Sequence, residues 1–129
     1  MARKAKTASV QWLGIPAFPI PIFSGKLVLC TSPQEWDSVA AAFDDVTGTD
    51  GCKGLAMRYY SEEHGRIYAI GVFDKAVDTL VHELAHATFF LLGDVGIPVA
   101  SGEDNEAFTY VQGFLMREVL PVFLAATKQ

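Results

Sequence analysis

The run Arg66–Gly93, RIYAIGVFDKAVDTLVHELAHATFFLLG, changes its hydrophobic pattern partway along. Arg66 to Phe73 is rich in Ile, Tyr and Val and is bounded by Gly65 and Asp74, which reads as a β-strand. Beyond Asp74 the apolar residues recur at helical spacing. Asp74 is placed to cap a helix from Lys75 to Leu92, and Gly93 to end it at C′. Val77, Leu80, Val81, Leu84, Leu91 and Leu92 share that helix with Ala85, Ala87, Phe89 and Phe90. A helix apolar nearly all round is a buried one. A strand feeding directly into a buried helix predicts an α+β domain, a small sheet packed on helices.

Working outward, Leu55–Tyr60 is a second β-rich run. It forms a hairpin with Arg66–Phe73 across the loop Ser61–Gly65. Lys26–Thr31 reads as a strand, giving about three strands in all. Ser32, Pro33 and Glu35 are an N-cap, a first helical position and a capping-box partner. That helix is expected to run to about Asp45, with Trp36, Val39, Ala40 and Phe43 on one face. On the other side, Asp94–Ala100 is a loop. Ser101, with Asp104 as a capping partner, is expected to start the last helix, which runs to about Val119 and is kinked or restarted at Pro121. Phe108, Val111, Phe114, Leu115 and Val119 form its core stripe.

Residues 1–25 differ from the rest. They hold Arg3, Lys4 and Lys6, then Trp12, Phe18 and Phe23 among Pro16, Pro19 and Pro21. Pro-X-Pro spacing favours extended backbone, so 1–25 is expected to be an arm, and 26–129 the folded domain. The arm either packs on its own core or docks on another subunit. A protein partner or self-association through residues 1–25 follows from the second case.

At 129 residues the chain fits one domain. A net charge of -5 disfavours sequence-independent nucleic-acid binding, and no run of ~18 apolar residues predicts a membrane span. Val10–Phe23 resembles a signal peptide only faintly, because its prolines break the apolar region, so a cytoplasmic protein is expected. Cys30 and Cys52 have neither CxxC spacing nor a disulfide framework and are read as free thiols. His64 is read as a solvated turn histidine. Asp44, Asp45 and Asp50 lack EF-hand spacing and are read as a solvated loop edge.

The chemistry-bearing segment is Val81-His82-Glu83-Leu84-Ala85-His86-Ala87. His82 and His86 are four apart and project from one helix face, where two imidazoles can grip one Zn²⁺. Glu83 leans over the same site and can take a proton from a zinc-activated water. Two buried histidines and a carboxylate need partners, which a metal ion supplies. The third protein ligand has to come from Glu103, Asp104 or Glu106, since no histidine follows. Tyr110 lies one turn beyond Glu106 and is a candidate donor to a substrate carbonyl or a ligand. Arg117 and Tyr68 are weaker candidates for that role.

His82–Ala87 (HELAHA) followed by Asn105-Glu106-Ala107 resembles the gluzincin class of zinc metallopeptidases, the thermolysin-like enzymes among them. The step of twenty residues from His86 to Glu106 matches the thermolysin-like spacing. The plan is also similar to minimal zincins, such as small bacteriophage-encoded metallopeptidase-like proteins and ImmA/IrrE-type domains. The resemblance covers about residues 80–110. It implies a zincin-like fold, His82, His86 and Glu106 as zinc ligands, Glu83 as general base, and Asn105 orienting a ligand histidine. Tyr110 stands where the thermolysin-like pattern has an aspartate, and the second domain of those enzymes is lacking.

These residues predict a zinc-dependent peptidase acting on a peptide or protein. The substrate would lie extended between the HExxH helix and the sheet edge, with Arg66–Phe73 close by. The alternative is a non-catalytic zincin-fold structural or interaction protein, such as a phage virion component, docking through residues 1–25.

Overall fold

Five strands join in one mixed sheet in the computed structural model, which describes residues 10–129. They are β1 (Val10–Trp12), β2 (Ile15–Pro19), β3 (Lys26–Cys30), β4 (Gly54–Ser61) and β5 (Gly65–Val72). Their spatial order is β1-β2-β3-β5-β4. Only β3 and β5 pair in parallel. Three helices complete the α+β domain: α1 (Pro33–Ala41), α2 (Val77–Asp94) and α3 (Glu106–Thr127). Among the described residues, no helix is long and apolar enough to cross a membrane.

The sheet has five strands rather than about three because residues 10–19 are not an arm. β1 and β2 turn through Leu13 (φ 57°) and Gly14 (φ 76°), a two-residue hairpin of the primed kind that matches strand twist. Ile15, Ala17, Phe18 and Ile20 are buried. The β2–β3 ladder begins at Ala17, just past Pro16, so the missing proline N–H costs it no bond. The basic positions Arg3, Lys4 and Lys6 lie outside the described residues.

Both faces of the sheet are covered. Leu27, Leu29, Tyr68, Ile70 and Val72 meet Leu80, Leu84, Leu91, Leu115, Val119 and Phe123 of α2 and α3. Val28, Cys30, Ile67 and Ala69 meet Trp36, Val39 and Ala40 of α1. A strand buried on both sides reads as a continuous apolar run, which is how Ile67–Val72 reads. Cys30 is buried and Cys52 half-buried, and both are free thiols.

Local signals account for most element ends. Ser32 Oγ accepts from the Glu35 N–H at 3.1 Å, and Glu35 Oε1 accepts from the Thr31 N–H at 2.8 Å. The helix stops at Ala41, short of Asp45, where Asp44 turns to φ 57°. Asp74 does not cap α2 at Lys75. Its carboxylate accepts from the Ala76 N–H at 3.1 Å and the Thr79 hydroxyl at 2.8 Å, and the helix starts at Val77. Gly93 is inside α2, and Gly96 (φ 79°) makes the turn beyond it. α3 starts at Glu106 rather than Ser101, because Asn105 takes a left-handed conformation. It also runs through Pro121, which is exposed along with Arg117 one turn earlier, so water can satisfy the carbonyl that Pro121 leaves free. The β4–β5 loop is three residues, Glu62–His64, because Ser61 pairs with Gly65. His64 is half-buried rather than fully solvated: it meets the rings of Trp12 at 5.2 Å and Phe43 at 5.5 Å edge-on.

Candidate metal centre

α2 buries Leu80, Leu84, Ala87 and Leu91 against the sheet. That leaves His82 and His86 exposed on its outer face. Their ring centroids are 4.9 Å apart and their planes near perpendicular. Glu83 turns the other way, toward β4, and is only 7% exposed. Its Oε2 lies 4.0 Å from His82 Nε2. One ligand atom each from His82, Glu83 and His86 lie within 4.8 Å of one another, a group that can hold a metal ion.

Gly54, the first residue of β4, makes this approach possible. A Cβ there would meet Thr79 Cγ2 at 2.7 Å, the Gly71 carbonyl at 2.8 Å and Glu83 Cγ at 2.9 Å. Without it, α2 packs onto the edge strand and Glu83 slides under the histidines. A cavity of ≈ 290 Å³ opens here, lined by Lys53, Gly54, Asp78, Thr79, His82 and Glu83. Burial pushes the Glu83 carboxyl above its usual range, and the adjacent His82 and His86 pull it part of the way back. Imidazoles one turn apart, open to solvent, with a carboxylate beside them, fit a divalent cation.

The structure does not bring Glu106 into this group. α3 faces α2 with Phe108, whose ring is 4.6 Å from Phe89, and with Gln112, which accepts from the Thr88 hydroxyl at 2.8 Å. Two residues before Phe108, Glu106 sits about 200° round the helix at 3.6 residues per turn. It is exposed and lines a separate cavity with Glu103, Asp104 and Asn105. Tyr110 shares that outward face. It is 75% exposed and borders an apolar groove with Ile20, Ile22 and Phe23. Asn105 is committed to its own loop, accepting from the Ala100 N–H and donating to the Ala100 and Glu103 carbonyls. Tyr68 is in the core and donates to Asp94 at 2.7 Å, while Arg117 lies over Phe114.

Three neighbours of the histidines were not singled out from sequence. Asp78 is four residues before His82, a spacing that was open to reading. Phe90, stacked on His86 at 6.5 Å, likewise follows it by four. Gly54 gave no local signal, because its role depends on how α2 packs. The edge strand beside Glu83 is β4, whereas β5, expected next to the cleft, lies inside the sheet. Comparisons with protein-family models, curated proteins and solved structures give no match for the chain.

Proposed function

We propose that the chain is a zinc-dependent peptidase. The observation that supports this best is Glu83, a carboxylate buried beside two exposed histidines at a sheet edge that is unpaired among the described residues. A site that only had to hold a metal would not need that carboxylate there. His82 and His86 would hold the ion. Zinc, when bound, supplies Lewis acidity toward a carbonyl oxygen and makes water a stronger acid near neutral pH. Glu83 takes the proton from the attacking water and returns it to the leaving amine. Its burial suits that shuttle, since a raised pKa lets the carboxyl hold the proton between the two transfers. That edge of β4 offers main-chain groups to an extended peptide beside Glu83.

The third ligand in this proposal is Glu106, on its spacing from His86. It reaches the ion only if the first turn of α3 rotates, and the loop after Val95, with Gly96 and Gly102 at positive φ, is where the chain would give. The alternative, a non-catalytic docking protein, relied on a free segment at residues 1–25. Residues 10–12 and 15–19 are strands of the sheet, which leaves that reading with less to dock through.

Glu83→Gln keeps shape and removes the proton acceptor. The variant is predicted to retain its zinc and to lose peptide hydrolysis by roughly 10²–10⁴-fold, the usual scale for a general base. Hydrolysis of a peptide library, scored by mass spectrometry beside metal content, checks this. Equal cleavage by wild type and variant would end the role given to Glu83.

A further inference from the structure

Farther along β4 from Glu83, a second cavity of ≈ 310 Å³ is lined by Arg58, Tyr59, Tyr60, Arg66 and Asp94. The Asp94 carboxylate is engaged on both oxygens. Oδ1 accepts from Arg58 at 2.9 Å and Oδ2 from the Tyr68 hydroxyl at 2.7 Å. Arg66 is different: its Nη1 is buried and finds no acceptor among the described residues. A guanidinium N–H without an acceptor is costly, so Arg66 is the group lining this cavity with hydrogen-bonding capacity to spare. The charge balance points the same way. The end of α2 adds partial negative charge, but Arg58 and Asp94 neutralise each other. Arg66 makes no ion pair of its own among the described residues, and it lies beside the Tyr68 hydroxyl that donates to Asp94.

This cavity adjoins the histidine pair. The Arg58 guanidinium lies 5.6 Å from the Phe90 ring centroid, and Phe90 stacks on His86 at 6.5 Å. Gly54, against Glu83, and Arg58 are four residues apart on the edge strand, or ~13 Å at the rise of extended chain. A peptide laid along β4 past Glu83 would reach the Arg66 cavity about four residues away.

We propose that the Arg58/Arg66 cavity binds a carboxylate of a peptide ligand, with Arg66 as the anchor. This deepens the peptidase reading and rests on it for the choice of a peptide. A planar guanidinium matches a carboxylate through two parallel hydrogen bonds. The carboxylate is either a free C-terminus or an Asp or Glu side chain, so acidic or C-terminal segments are the substrate class assigned.

The test is binding, read by amide chemical shifts on the full chain as purified and repeated with chelator. Three probes are N-acetyl-tetraalanine as the free acid, the same peptide as the C-terminal amide, and that amide with one alanine replaced by glutamate. At least one acidic probe is expected to bind roughly tenfold or more tightly than the neutral amide, shifting Arg58, Tyr60 and Arg66. Which acidic probe wins identifies the source of the carboxylate. Arg66→Gln should reduce the preference to within about twofold, and Arg66→Lys, which keeps the charge but not the fork, should fall between. Equal or undetectable binding of all three probes to wild type overturns the proposal, as does a preference unchanged in Arg66→Gln. Because binding is read without turnover, a chain that binds acids yet never hydrolyses peptides would refute only the peptidase reading.

Discussion

Gly54 marks a close contact between α2 and the sheet. Any side chain there meets the Gly71 carbonyl, which is backbone of the interior strand β5 and cannot step aside. Gly54→Ala should therefore lift α2 off β4 and cost about 1–3 kcal/mol, the scale of overpacking in a dense core. Urea denaturation checks it, and a variant as stable as wild type would show that α2 has slack. Tyr68 gives a pH test at the same scale. Burial, then the hydrogen bond to Asp94, raise its phenol from 10.0 to about 12. The folded state thus favours the neutral phenol. Its contribution is whole below pH 10 and is lost as pH climbs from about 10 through about 12. Tyr68→Phe is predicted to be less stable than wild type by about 1–2 kcal/mol at pH 8. That gap should close through the alkaline window, and a constant gap would mean that the hydroxyl does not titrate late.

The β1–β2 hairpin shows how elements escape a local reading. Its alternation is blurred by Pro16, Pro19 and Pro21, and what makes it a sheet is pairing with β3, a partner that composition does not reveal. Leu13, exposed at φ 57°, is a poor residue for a primed turn. Leu13→Asn should stabilise the chain by about 0.5–1 kcal/mol, since asparagine tolerates the left-handed region. No gain in Tm would argue against that turn. Elements whose signals are local were legible: β3, the Ser32–Glu35 cap, the β4–β5 hairpin and the two-histidine helix. Asp74 and Ser101 misled because residues of capping type three and five places before a helix still look like caps, and Gly93 because it lies one residue inside the end of α2. The rotation of α3 was not legible either. A count of twenty residues from His86 gives chain length and leaves helix phase open, and the phase turns Glu106 outward.

At the scale of the molecule, the fold offers one sheet covered on both faces, with α2 laid along its β4 edge. That arrangement puts the histidine pair, Glu83 and the Arg58/Arg66 cavity along the same edge strand. On the function proposed above, His82 and His86 hold a divalent ion there. The direct test is metal content of the purified full chain by mass spectrometry, with His86→Ala and Glu106→Ala beside it. About one zinc per wild-type chain is expected, lost in His86→Ala because one imidazole cannot hold the ion alone. A clear loss in Glu106→Ala would assign the third ligand, and full content would withdraw it. Wild-type protein with no metal after incubation with zinc, or full zinc in His86→Ala, would contradict the claim.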